Sequence, residues 1–210
     1  MPIEPVPAQP LPKKLQYLAL GDSYTIGQSV GEKERFPFFV SSMLRDLQVA
    51  INDPKYIART GWSTIALQAA ISAENPPGTF DIVSLLIGVN DQYQGLDTAG
   101  YRIRFTQLLA SAIQLAGNKK SNVFVLSIPD YSVTPYVASG KARVSSEIES
   151  FNSINKDITT RQGIVYVDIT PSTREAGTDA SLLADDGLHY SAKEHRRWAE
   201  KLAPLIKVVL

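Results

Sequence analysis

The chain of 210 residues predicts a three-layer α/β sandwich, with helices on both faces of a five-stranded parallel sheet. Two observations carry this prediction. Short apolar segments alternate with amphipathic helical segments, and neither a shift in composition nor an internal repeat interrupts the alternation after residue 13. We therefore expect one domain over residues 14–210. Residues 1–13, which are rich in proline, are predicted to form an extended tether in front of it.

Five apolar segments are the candidate strands. They are residues 15–20, 55–58, 81–87, 123–128 and 164–167. The third and fourth segments are almost continuously apolar, which is typical of strands that a parallel sheet buries on both faces. The first runs directly into Gly21-Asp22, a pair that signals a turn.

Apolar residues spaced three and four positions apart predict a helix after each strand. These helices span residues 36–47, 63–71, 105–116, 144–158 and 191–209. The last helix is expected to begin with a capping box between Ser191 and Glu194 and to kink at Pro204. Its predicted buried stripe consists of Trp198, Leu202, Leu205, Ile206 and Val209.

Residues with catalytic potential lie in four loops, three of which follow predicted strands. The loops are Gly21-Asp22-Ser23-Tyr24, Thr60-Gly61-Trp62-Ser63, Gly88-Val89-Asn90-Asp91 and Asp185-Asp186-Gly187-Leu188-His189. Parallel strands all end at one edge of a sheet, where the sites of such folds lie, so the first three loops should meet there. The fourth loop reaches the same edge if the last helix packs back on the first strand.

The residue types in these loops suit nucleophilic catalysis. A serine nucleophile needs a base, a carboxylate that orients the base, and donors for the oxyanion. Ser23 lies on a strand-to-helix turn and is the candidate nucleophile. His189 is the candidate base, and Asp186 precedes it by three residues in the same loop. The backbone N–H groups of Ser23 and Gly61 and the side-chain amide of Asn90 would form a three-donor oxyanion hole.

These four blocks resemble those of the SGNH, or GDSL-type, hydrolases, and the resemblance runs from about residue 15 to the end of the chain. It implies a flavodoxin-like sandwich with esterase, lipase, thioesterase or carbohydrate acetylesterase activity. It also implies a triad of Ser23, Asp186 and His189, with Ser23, Gly61 and Asn90 as oxyanion donors. One departure is Tyr24, which stands where the family usually has leucine after the serine and which bears on the shape of the acyl pocket.

Other residues offer competing assignments. Residues 27–31 match the Gly-x-Ser-x-Gly nucleophile elbow of α/β-hydrolases, but no strand directly precedes them, so Ser29 is interpreted as a chance match. His195 lies near the start of a helix, which favours packing over a role as base. Asp185 is the alternative to Asp186 as the carboxylate that orients the base.

The surroundings of the site are polar and aromatic. Asp22 and Asp91 are interpreted as structural acceptors within their loops. Tyr93, Tyr131 and Tyr136 lie in segments expected to form the rims of the cleft, residues 92–96 and 129–141. Because no long apolar lid is present, small or medium water-soluble esters are favoured as substrates. A lysophospholipid, a thioester and an acetylated sugar all stay open as natural forms.

Composition narrows the classes of function. Lys and Arg total 21, as do Asp and Glu, whereas a nucleic-acid binder normally has a basic excess. The chain has no cysteine, which removes thiol catalysis, and its two histidines leave little room for a multi-histidine metal site. We therefore expect no metal or cofactor. A metal-dependent phosphoesterase and a non-catalytic ligand-binding relative are the alternative functions.

No segment approaches the roughly 18 apolar residues of a membrane span, so no integral membrane segment is expected. The absence of cysteine and the proline-rich start favour an exported protein whose leader has been removed, with a cytoplasmic location as the alternative. The expected partner is a small-molecule ester, and the sequence leaves the oligomeric state open.

Overall fold

The structure, a computed structural model, describes residues 13–76 and 78–210. Its centre is a parallel sheet of five strands in the order β2-β1-β3-β4-β5. The strands are β1 Tyr17–Gly21, β2 Lys55–Ala58, β3 Ile82–Leu86, β4 Val123–Leu126 and β5 Val165–Val167. This strand order is the flavodoxin-like one, so the predicted fold class is confirmed.

Eight α-helices accompany the sheet in the described part of the chain. They are α1 Ser23–Ile26, α2 Phe36–Asp46, α3 Thr64–Glu74, α4 Val89–Tyr93, α5 Thr98–Leu115, α6 Lys141–Arg161, α7 Thr170–Arg174 and α8 Ala192–Val209. Helix α2 packs against α8, while α5 packs between α3 and α6. These two groups of helices form the outer layers, and β1, β3 and β4 are buried throughout between them.

The register of the central strands sets the position of the candidate site. Gly21, the last residue of β1, lies beside Ala58 of β2 and Leu86 of β3. Neighbouring strands are about 4.8 Å apart, so the loops that follow these three strands begin side by side. The sequence prediction that three of the four catalytic loops share one edge of the sheet is therefore confirmed.

The predicted elements are present, but several boundaries differ. Strand β1 begins at Tyr17, because Leu15 forms only an isolated bridge with Ile51. Helix α3 continues to Glu74 and ends at Asn75, whose left-handed backbone closes the helix. Of the predicted tether, residues 1–12 lie outside the described residues.

The predicted capping box of the last helix is wrong. Ser191 is the N-cap of α8, but its hydroxyl donates to the Ser181 carbonyl oxygen at 2.7 Å instead of bonding the helix. The Glu194 side chain is fully buried, where it accepts hydrogen bonds from Ser172 Oγ at 2.6 Å and Trp198 Nε1 at 2.8 Å. Ser181 and Ser172, which lie outside α8, therefore bind these two side chains in place of the local cap.

The buried stripe of α8 also differs from the prediction. Trp198, Leu202 and Ile206 are buried as expected, whereas Leu205 and Val209 are exposed. His195 takes a place in the stripe: its ring is buried and lies against the rings of Phe36 and Trp198. The expectation that His195 serves packing is confirmed by these contacts.

His195 also caps the N-terminus of α2, which begins at Phe36. Its Nδ1 accepts a hydrogen bond from the Phe36 backbone N–H at 3.2 Å, a group that has no partner within α2. Burial lowers the pKa of His195 to about 3, so the ring stays neutral in the folded protein at neutral pH.

We expect His195 to make the folded state sensitive to acid. Because its pKa is lower when folded than the unfolded value of about 6.5, the unfolded chain binds more protons as the pH falls through 6.5. The free energy of unfolding should drop by about 1 kcal/mol per pH unit from this group. In His195→Asn the amide oxygen can accept from Phe36 without titrating, so urea unfolding between pH 6.5 and 4.5 should show a shallower decline. Equal slopes in both proteins would contradict this assignment.

Candidate active site

Ser23 is presented by a very tight connection between β1 and α1. Gly21 ends the strand, and Ser23 is already the first residue of the helix. A Cβ atom at Gly21 would collide with the Thr25 hydroxyl and the Leu86 carbonyl oxygen, so only glycine permits this close approach. The turn therefore fixes Ser23 at the edge of the sheet, where its side chain lines a cleft.

Asp22 stabilises this turn through a hydrogen bond to its backbone. Its Oδ1 accepts a hydrogen bond from the Tyr24 backbone N–H at 3.0 Å, and its carboxyl group is fully buried. Burial raises the pKa of Asp22 to about 8, so the carboxyl is mostly protonated at pH 7. The structure thus confirms Asp22 as a turn cap.

His189 is held firmly by Asp186. Its Nδ1 lies 2.7 Å from Asp186 Oδ2, and its backbone N–H donates to Asp186 Oδ1 at 2.8 Å. The Leu188 backbone N–H donates to the same Oδ1 at 2.9 Å. With Nδ1 engaged by the carboxylate, Nε2 is the ring nitrogen left for a substrate or a nucleophile. All three of these hydrogen bonds go to Asp186, so the geometry favours Asp186 over its neighbour Asp185.

Ser29 contacts the same carboxylate, which the sequence interpretation as a chance match missed. Its hydroxyl donates to Asp186 Oδ2 at 2.6 Å, across 157 positions of sequence. Partial burial opposes the ionisation of Asp186, but hydrogen bonds from Ser29, His189 and two backbone N–H groups outweigh it. Together they hold the pKa of Asp186 well below its usual range.

Gly61 and Asn90 come from the loops beside Ser23. Gly61 has a φ of +83°, a left-handed conformation that favours glycine although a side chain would meet no neighbour there. Asn90 lies in the first turn of α4, and its Nδ2 donates to the Trp62 carbonyl oxygen at 3.0 Å. A primary amide has two N–H groups, so this bond orients the amide and leaves one donor unused.

Asp91 ties these two loops together. Its fully buried carboxylate accepts from the Thr64 backbone N–H at 2.8 Å and from the Thr64 hydroxyl at 2.5 Å. Arg104 Nη2 lies 3.4 Å from the same carboxylate. The structure confirms Asp91 as an acceptor that holds the Gly61 loop against α4.

The predicted site residues meet in one cleft of about 130 Å³. Ser23, Gly61, Asn90 and His189 line it, and Asp186 lies behind His189. The other lining residues are Tyr24, Thr60, Val89, Tyr93, Tyr131, Tyr136 and Leu188. A Ser–His–Asp triad uses one hydrogen bond between serine and histidine and one between histidine and aspartate. The structure shows the bond between His189 and Asp186, and Ser23 lines the same cleft as His189.

Aromatic side chains shape this cleft. Tyr93, Tyr131 and Tyr136 line it, so the hypothesis of a tyrosine-lined rim is confirmed. The ring of Tyr24 meets the ring of His189 edge-on, with centroids 5.6 Å apart. Tyr24 is buried and lines the cleft beside Ser23. Tyr24 therefore packs directly against the candidate base.

Two features are absent from the described residues. Within residues 13–76 and 78–210, no cluster of three or more His, Asp or Glu side chains is arranged to hold a metal ion. Over the same ranges, no helix combines the length and apolar character needed to cross a bilayer.

Comparison with known proteins places the chain in a family. The profile of the GDSL-like lipase/acylhydrolase family matches residues 19–197, which include all five candidate site residues. The chain belongs to this family. The resemblance seen in the four sequence blocks is thereby confirmed, and hydrolysis of an ester is the activity that the family supports.

Solved structures of similar fold include esterases of this kind. TesA matches with a TM-score of 0.72 and 18% identity, covering 93% of this chain and 99% of its own. The lipase/acylhydrolase from Enterococcus faecalis matches with a TM-score of 0.68 and 18% identity, covering 92% and 96%. The esterase EstA from Pseudoalteromonas sp., solved with monoethylphosphonate as inhibitor, matches with a TM-score of 0.65 and 19% identity, covering 93% and 98%. The search of curated proteins found no match.

Proposed function

We propose that the chain is a serine-dependent hydrolase of carboxylic esters that works through an acyl-enzyme on Ser23. The observation that carries the proposal is the cleft itself. One wall holds a serine, a histidine anchored by a carboxylate, and an oriented amide, which are the groups that acyl transfer requires. Membership of the acylhydrolase family supports the same reaction class.

In the proposed reaction Ser23 Oγ attacks the ester carbonyl while His189 Nε2 accepts the hydroxyl proton. Asp186 keeps the Nδ1 proton in place and stabilises the imidazolium that forms. The oxyanion takes hydrogen bonds from the free N–H of Asn90 and from the backbone N–H groups of Ser23 and Gly61. His189 then returns the proton to the departing alcohol, and water releases the acyl group by the same steps in reverse order.

The dimensions of the cleft favour a short acyl group. Its volume of about 130 Å³ is well below the roughly 300–1,000 Å³ of sites that bind drug-sized ligands. Leu188, Val89 and the tyrosine rings make its surface largely apolar. This is consistent with the small or medium water-soluble esters favoured by the sequence, and a long fatty acyl chain would have to extend beyond the cleft.

Ser23→Ala should reduce hydrolysis of an aryl acetate by about 10⁴-fold or more, because the covalent route is lost. It should also abolish labelling by a fluorophosphonate, followed by intact mass and peptide mapping. Ser72→Ala is a matched control, since this exposed serine lies on α3 and bonds only its own helix. Label that stays on the Ser23→Ala protein, or activity that vanishes with excess chelator, would contradict the proposal.

Asn90→Ala should lower kcat by about 10²–10³-fold with little change in KM, because the lost donor acts on the oxyanion of the transition state. Steady-state kinetics on the same aryl acetate measures this. Gln94→Ala, an exposed change just after α4, is the control for disturbance of the segment. A kcat within threefold of the parent would remove Asn90 from the oxyanion hole.

A further inference from the structure

A second cavity opens beside the catalytic cleft. It has a volume of about 550 Å³ and shares Tyr93, Tyr131 and Tyr136 with the cleft. Asp97, Arg143 and Glu147 supply its charged groups. We call this cavity the side chamber. Its volume falls in the range of sites for ligands larger than an acetyl group, so the cleft and the chamber together can hold both parts of an ester.

A backbone hydrogen bond ties the side chamber to the loop that carries His189. The Tyr136 backbone N–H donates to the Gly187 carbonyl oxygen at 3.3 Å, two residues before His189. His189 must protonate the departing alcohol oxygen, so in the proposed reaction the alcohol part of the ester lies toward this histidine. The small apolar cleft then receives the acyl part, and the chamber is placed to receive the alcohol.

Each charged side chain of the chamber already has a hydrogen-bonding partner within the protein. Arg143 pairs with Glu147 at 2.7 Å, and Glu147 also accepts from Gln92 Nε2 at 2.6 Å. Asp97 is engaged in capping α5 through the Gly100 N–H at 2.7 Å. An anionic ligand would find the one arginine of the chamber already paired, and a cationic ligand would find both carboxylates, Asp97 and Glu147, already engaged.

The groups of the side chamber that can still form hydrogen bonds suit a ligand with uncharged hydroxyl groups. The Tyr93 and Tyr136 hydroxyls bond each other at 2.8 Å at the boundary between the two cavities, and both side chains are about half exposed. Each hydroxyl oxygen keeps further hydrogen-bonding capacity, as do the remaining N–H groups of Arg143. Resting on the proposed function, we propose that the side chamber binds the alcohol part of the substrate, and that this alcohol is a neutral polyol such as a monosaccharide or glycerol.

The test compares acetate esters that differ only in the alcohol: ethyl acetate, acetylcholine, and monoacetates of glucose, xylose and glycerol. The parent protein should show higher kcat/KM for at least one polyol acetate than for ethyl acetate. Arg143→Ala and Tyr136→Phe should each lower the polyol-to-ethyl ratio of kcat/KM by about tenfold, since each removes a hydrogen-bonding group. Lys141→Ala, at an exposed position of the same helix, should leave the ratio unchanged.

An unchanged ratio in both variants, or a preference for acetylcholine, would overturn the proposal. A binding experiment tests the side chamber independently of ester hydrolysis. Free glucose and xylose, titrated into the Ser23→Ala protein at millimolar concentration, should shift NMR signals of the chamber tyrosines, and Arg143→Ala should weaken the effect. If the sugars bind but the parent protein hydrolyses no ester, the proposed function is wrong and the assignment of the side chamber stands. If the parent protein hydrolyses esters but no sugar binds, the assignment of the side chamber is wrong and the proposed function stands.

A second inference rests on a different observation, the bond from Ser29 to Asp186. Ser29 has a φ of +68°, a conformation that is uncommon for a residue other than glycine. In this conformation its hydroxyl reaches Asp186 Oδ2, the same oxygen that faces His189 Nδ1. We infer that Ser29 is a positioning residue, which keeps the carboxylate aligned with the histidine ring while both are partly open to water.

Three variants of Ser29 test this inference. Ser29→Ala should lower kcat for an aryl acetate by about 5- to 20-fold with unchanged KM, as expected for loss of one hydrogen bond to a charged group. Ser29→Gly removes the hydroxyl but relieves the backbone, so it should lose as much activity as Ser29→Ala. Ser29→Asn tolerates the left-handed conformation and offers an N–H donor, so it should recover part of kcat.

Glu32→Ala, an exposed change in the same loop, is the matched control and should keep the parent kcat. Full activity in both Ser29→Ala and Ser29→Gly would overturn the inference. A change confined to KM or to the melting temperature would also overturn it, because either result would mean that Ser29 only shapes the loop.

Discussion

The parallel pairing of β1 with both β2 and β3 is the constraint on which the site depends. It brings the ends of these strands into line, so that a serine, a glycine and an asparagine from distant parts of the chain start from adjacent positions. Each following loop has little freedom. Gly21 has no room for a side chain, and Asp91 binds the Gly61 loop to α4. The fourth group, His189, is fixed instead by its own loop through Asp186.

Two carboxyl groups near Ser23 differ sharply in ionisation, and their surroundings explain why. Asp22 is fully buried with one backbone donor, so its carboxyl is mostly neutral. Asp186 is partly exposed and accepts four hydrogen bonds, so it is ionised. Only the charged one touches the histidine. The site thus has one negative charge where an imidazolium would form and none directly beneath the serine.

Local patterns in the sequence identified most of the fold, and long-range contacts account for what they missed. Strand β2 was predicted to the residue, and α2 was predicted to within one residue because the spacing of its apolar residues defines its buried face. Helix α5 begins seven residues before its predicted start, since Asp97 caps it and its first two turns lack a regular apolar spacing. The Ser29–Asp186 contact spans 157 residues, and Glu194 bonds Ser172 across 22, so no local motif could reveal either.

The cap that His195 provides for α2 has a consequence for the order of folding. Phe36 and His195 are 159 positions apart, and their hydrogen bond joins the second helix to the last. During synthesis α2 and the loop before it, which carries Ser29, would stay without this partner until α8 emerges. Contacts of such long range form slowly because they close large loops of chain. The edge of the sheet that carries the candidate site should therefore be among the last parts of the nascent protein to become resistant to proteolysis, after the β3–β5 half has formed.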